Sequence, residues 1–192
     1  EFAQVCNAIA PLAQQTRCWN RVALHHMAYR QMRERFPNLG SQMVCNAIYA
    51  VSRTCRIIYQ NPRSPFSMAR VGAGRLPLVQ FAPDAPVYFD RHTLSIKDDQ
   101  ASLYTLDGRV RFQIQLPASD LHRLSEARVR EIVLVRRGAH FALTFLLRTV
   151  DTNDPKSRLS EDAVAVDLPG YIQVVQQPLP IVSAPPQPQE AP

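Results

Sequence analysis

The sequence predicts an α+β fold: a helical hairpin, then a small antiparallel β-barrel of the oligonucleotide-binding type, then a proline-rich tail. Three observations predict it. Apolar residues recur at helical spacing through the first 60 positions. From residue 87 the period changes to two, the mark of strands with one buried face. The last seventeen residues, QQPLPIVSAPPQPQEAP, hold six prolines, a composition that forms no core and is expected to be disordered or extended. These divide the chain into a helical unit at 1–60, a linker at 61–86, a barrel at 87–150, a loop and further strand at 151–175, and the tail at 176–192.

Residues 2–36 read as helical, with Pro11 as the expected break, because proline removes an interior hydrogen bond. PNLG at 37–40 reads as a turn, and Ser41 as the cap of the next helix. That helix spans 41–60, where Val44, Ile48, Val51, Cys55 and Ile58 share one narrow arc at 100° per residue. Arg53 and Arg56 fall away from this stripe, with Tyr49 and Gln60. Asn61 to Pro86 is rich in Pro, Gly, Ser and Arg, without periodicity, and reads as a linker or irregular wrap. VYFDRHTLSI (87–96), ASLYTL (101–106) and RVRFQIQL (109–116) then read as strands, the last two joined through Asp107–Gly108. In the third, Val110, Phe112, Ile114 and Leu116 face a core, opposite Arg109, Arg111, Gln113 and Gln115. A short helix covers 119–126, and strands at 130–136 and 140–150 form a second hairpin about Arg137–Gly138. A half-open sandwich is the alternative to the barrel. After the loop DTNDPKSRLSED (151–162), a strand at 163–175 carries one acid, Asp167, in the apolar run VAVDLPGYIQVV.

Charge is distributed unevenly. The first 75 residues hold ten arginines and two acids, whereas the last 42 hold two basic groups and six acids. Lys97 and Lys156 are the only lysines among 22 basic residues. Guanidinium is a planar fork that pairs with phosphate and stacks on bases, so an arginine-dominated half suggests a polyanion, nucleic acid above all. The competing reading is an ordinary solvated surface. No run of 18 apolar residues is present, so no membrane-spanning helix and no membrane partner are expected. The chain begins at Glu1 with nothing that resembles a signal peptide, so a fragment or processed form in a cytoplasmic setting is the expectation.

Catalytic and metal-binding patterns are weak. Cys6, Cys18, Cys45 and Cys55 form no C-x-x-C pair and read as small buried hydrophobes. His25 and His26 are adjacent, so on a helix they point to different faces and cannot chelate one metal together. His92, His122 and His140 lie in separate elements without a nucleophile motif, and GAGR at 72–75 lacks the spacing of a phosphate-binding loop.

The order of helices, linker, barrel and VAVDL resembles the front half of TnpB, the transposon-encoded RNA-guided endonuclease related to type V CRISPR effectors. The stretches VYFDRHTLSIKDDQASLYTLDGRVRFQIQLP and EIVLVRRGAHFALTFLLRTV carry the resemblance to that family's wedge domain, and residues 2–60 resemble its recognition insert. The resemblance implies contact with guide-RNA scaffold and RNA–DNA heteroduplex through backbone and shape. The residues it points to are Arg17, Arg21, Arg30, Arg33, Arg53, Arg56, Arg63, Arg70, Arg75, Arg109 and Arg111, with Tyr88 or Tyr104 stacking on a base. As barrel-strand aromatics, those two tyrosines have a core reading as well.

In the same family a Gly-Val-Asp-Leu-Gly run opens the RuvC nuclease domain, and its acid corresponds to Asp167, a would-be metal ligand. Here Ala165 and Pro169 stand where the family has glycine, and the only later acid is Glu190. RuvC cleavage needs at least three carboxylates around two metal ions about 3.5–4 Å apart. The expectation is therefore a nucleic-acid binder without nuclease activity of its own and without a cofactor. Magnesium or another divalent ion would enter only with a full carboxylate cluster. A second protein chain completing the nuclease, and an interaction protein that uses its proline-rich tail, are the alternatives.

Overall fold

A computed structural model of the chain describes residues 1–97, 99–126, 128–148 and 170–175. Asp167, the loop at 151–162, most of the strand expected at 163–175 and the tail at 176–192 lie outside the described residues.

Helix α1 (Phe2–Thr16) runs unbroken through Pro11, contrary to the expected break. The lost backbone bond costs about 3 kcal/mol in a helix interior. Val5, Cys6, Ile9 and Ala13 are fully buried on both sides of Pro11, and that continuous stripe outweighs it. The chain instead turns at Arg17, which adopts the left-handed conformation (φ 50°, ψ 31°). Asn20 then caps α2 (Arg21–Arg35), its side-chain oxygen accepting from the amides of Val22 at 3.0 Å and Ala23 at 3.1 Å.

Helix α3 (Ser41–Cys55) is capped one residue earlier than expected: Gly40 holds the cap position and Ser41 is the first helical residue. Its stripe of Val44, Ile48, Val51 and Cys55 is buried as the spacing requires. From Arg56 to Gln60 the winding becomes π-helical, and Ile58 and Tyr59, adjacent in sequence, both enter the core. The helical unit is thus three packed helices of 15 residues, where a hairpin was expected.

The stretch read as a linker or irregular wrap takes the second form and contributes to the core. It contains the short helix α4 (Met68–Val71) and strand β1 (Leu78–Phe81), which lies on α1. Leu76, Val79, Phe81 and Ala85 are buried. Its irregular backbone is satisfied by side chains from the helices. Gln14 donates to the Leu76 carbonyl at 2.5 Å, and the Tyr59 hydroxyl to that of Pro77 at 2.6 Å. Asn7 pairs with Phe81 in both directions, donating to its carbonyl at 2.9 Å and accepting from its amide at 2.7 Å.

The strand expected at 87–96 is two strands, β2 (Val87–Phe89) and β3 (Leu94–Lys97). Between them Asp90 folds back, its carboxylate accepting from the amides of His92 at 3.0 Å and Thr93 at 3.1 Å. β4 (Gln100–Thr105) and β5 (Gly108–Gln113) pair through a turn at Leu106–Asp107, and Gly108 opens β5 at φ +104°. Helix α5 (Ala118–Glu126) and the hairpin of β6 (Arg128–Arg137) and β7 (His140–Arg148) follow, and β8 (Ile172–Val175) pairs with β1.

Every pairing is antiparallel, and the sheets are β1–β8, β2–β6–β7 and β3–β4–β5. Among the described residues they do not close into the expected barrel. The Asp90–Thr93 turn accounts for this, because it sends β2 and β3 into different sheets. The apolar face of β5 is accordingly less covered than its alternation suggests: Phe112 is half-buried, Val110 is 49% exposed and Leu106, in the turn, 52%.

Candidate nucleic-acid interface

The arginines singled out in the sequence separate into two groups by what their guanidinium groups touch. Those of the first group are engaged within the fold. Arg17 donates to the carbonyls of Gly72 at 2.9 Å and Ala73 at 3.1 Å, and also to that of Gly74, tying the end of α1 to the loop before β1. Arg33 donates to the Leu39 carbonyl beyond the end of α2. Arg21 lies over the Tyr49 ring, 5.2 Å from its centroid. Arg109, on β5, donates to the Ser102 hydroxyl at 3.2 Å and to the His92 carbonyl.

Arg53 belongs to this group too. It sits 3.7 Å from the Glu131 carboxylate on β6, which also accepts from the Tyr49 hydroxyl at 2.5 Å. A bulge between Val129 and Glu131 adds one residue to β6 and sets the face on which Glu131 stands. Burial, and then the bond to Glu131 and its charge, push the Tyr49 phenol up to about 12. The ring therefore stays protonated and remains a donor. Burial also leads the upward shift of Tyr88, which is joined by Tyr171. For Arg53, burial acts against the charge, but the Tyr88, Glu131, Tyr49 and Tyr171 groups outweigh it and raise its pKa. The cluster is a satisfied junction between α3 and the sheets, and Arg53 is a structural cation as much as a surface one.

The second group faces solvent. Arg56, Arg63, Arg75 and Arg111 are exposed, and their side chains make no hydrogen bond or ion pair with another described residue. Arg70 is exposed with one long bond, 3.5 Å, to the Pro62 carbonyl. Arg30 pairs with Glu34 at 3.1 Å, yet its side chain is 93% exposed, so the pair contributes at most about 1 kcal/mol and yields readily. Arg111 stands opposite Ser102 and Arg109 opposite Tyr104, so both arginines share one face of the β3–β4–β5 sheet, two residues apart.

The two tyrosines take the core reading. Tyr88 is buried with its ring edge-on to Tyr49, centroids 5.6 Å apart. Tyr104 is half-buried, its hydroxyl end so close to Gly40 that a Cβ there would lie 2.6 Å from the oxygen. Buried Tyr88 therefore presents no open ring face for a base, and half-buried Tyr104 packs against the core. Exposed Arg91, Arg136 and Arg137 were not singled out in the sequence; the last two lie at the β6–β7 turn, and only the hairpin's placement reveals them as a basic tip.

Cys6 and Cys55 are buried and Cys18 and Cys45 half-buried, all as free thiols. Burial raises the Cys55 thiol to about 12 and Cys6 further still, so neither serves as a nucleophile near neutral pH. Among the described residues no three His, Cys, Asp or Glu side chains gather as a metal site, and no helix is long and apolar enough to cross a membrane. No protein-family model matches the chain, and a search of the curated proteins finds no match.

Proposed function

We propose that this chain binds nucleic acid as the recognition- and wedge-like part of a TnpB-like RNA-guided endonuclease, holding guide-RNA scaffold and RNA–DNA heteroduplex, without cleaving by itself. The observation that carries the reading is the set of exposed arginines without a partner among the described residues, Arg56, Arg63, Arg75 and Arg111, in a chain whose first 75 residues hold two acids against ten arginines. A surface evolved only for solubility mixes both signs, whereas an unbalanced array of guanidinium groups releases counterions when it meets a phosphate backbone. Three separate short sheets serve this function as well as a closed barrel does, since the contacts asked of them are to backbone and shape.

Asp167 is the one carboxylate that the resemblance assigns to cleavage, and one carboxylate cannot hold two divalent ions. Recognition is therefore the activity assigned to these residues.

The test is anisotropy titration of a structured RNA and an RNA–DNA hybrid across a salt series. Each lost phosphate contact lowers the slope of log K against log salt by about 0.7–0.9. The quadruple variant Arg56→Glu, Arg63→Glu, Arg75→Glu and Arg111→Glu should flatten the slope and weaken both probes. A slope and an affinity that survive all four reversals would end the reading.

A further inference from the structure

The core side of α2 is set by Leu24, Ala28 and Met32, all buried. At 100° per residue the opposite arc carries Val22, His26, Arg30 and Arg33. This outward arc is not an ordinary solvated face. Val22 is 64% exposed and His26 is exposed beside it one turn on. On the flank of this arc half-buried His25 stacks on half-buried Tyr29, which packs against the core, centroids 4.6 Å apart and planes within 18°, and exposed His26 stands edge-on to His25 at 6.0 Å. From Val22 to Arg33 there is no acid; the first, Glu34, is the partner of Arg30.

We infer that the outward face of α2 is a stacking platform for unpaired nucleotides, with the exposed His26 ring, held edge-on to His25, receiving a base and Arg30 taking the adjoining phosphate. The inference rests on the nucleic-acid reading above and specifies which part of the ligand this helix takes. A flat π face accepts any base, because every base has one, and a cation one turn away matches a phosphate of the same strand. Charge decides the class of occupant: a face with two arginines and one acid, Glu34, favours a polyanion. Single-stranded RNA and single-stranded DNA share the chemistry, and the assay separates them.

The experiment uses the full chain with three probes of equal phosphate number: oligouridylate, oligodeoxythymidylate and a blunt RNA duplex, at fixed salt. The pair His25→Ala and His26→Ala should weaken single-strand binding about ten-fold, the effect of losing one stacked base, and leave duplex binding and the salt slope unchanged. His25→Phe with His26→Phe keeps flat rings and should restore binding. Whichever single strand responds identifies the sugar. Equal losses on duplex and single strand, or no loss on either single strand, would overturn the platform while leaving the arginine reading intact. A parent chain that binds none of the probes ends both. Should the alanine pair fail to fold by circular dichroism, ring-current shifts of the His26 proton resonances on adding each single strand provide the readout in the parent. Unshifted resonances at saturating oligonucleotide would overturn the inference equally.

Discussion

At Glu131 a single carboxylate serves two partners, the Tyr49 hydroxyl and the Arg53 guanidinium, across the junction of α3 and β6. Replacing it with leucine leaves a half-buried hydroxyl without its acceptor and a half-buried cation without its counter-charge. Unsatisfied groups of this kind cost about 1–3 kcal/mol, and solvent reaching Arg53 moderates the charge contribution. Glu131→Leu should therefore destabilise by about 2 kcal/mol in urea unfolding, and Glu131→Gln by less, since the amide oxygen still accepts from Tyr49. Tyr49→Phe should erase most of the difference between the two. Equal losses for leucine and glutamine would mean that the hydroxyl bond contributes nothing. The spacing put Arg53 off the core stripe on an outer basic face, whereas the structure half-buries it against Glu131, on a strand the chain reaches much later, 82 positions beyond Tyr49. Spacing along one helix carries no information about such a partner.

Among the elements, α1 shows how burial overrides local preference. Pro11 removes the amide that would bond to the Asn7 carbonyl, while the Asn7 side chain is engaged with Phe81. Pro11→Ala should restore the missing bond and stabilise the chain by about 1–3 kcal/mol, measured by chemical denaturation. A loss of stability would show that the proline ring packs where alanine leaves a void. Legibility followed periodicity. α3 and its stripe, the β4–β5 and β6–β7 hairpins and α5 were all readable, because each repeats a local pattern several times. β1 was not, because four residues among prolines and glycines repeat nothing, and the Asn7, Gln14 and Tyr59 side chains that hold its neighbourhood belong to other elements. The exposed arginines of the candidate interface were legible as a charge imbalance. The division between those tied to carbonyls, such as Arg17, and those open to solvent, such as Arg56, required the fold.

For the molecule as a whole, the segment at 61–86 decides how the helices and sheets unfold. A true linker would let the helical unit and the strands melt separately. Here one continuous core runs from Phe2 and Val5 through Leu76 and Val79 to Tyr88, Leu94, Ile132 and Ile172. β1 rests on α1, and α3 packs on β2, so neither side buries its apolar face without the other. Trp19 reports the helical side, since its ring lies 5.4 Å from that of Tyr59 and its indole nitrogen donates to Gln60 at 3.3 Å. Far-UV circular dichroism reports helices and strands together. In a urea titration the two signals should trace one transition with a common midpoint, as a single cooperative unit requires. Separated midpoints would mean that the contacts of 61–86 do not couple the two sides. Asn7→Ala and Gln14→Ala, which cut the bonds to Phe81 and Leu76, are the changes expected to begin that separation, with β1 loosening ahead of α3.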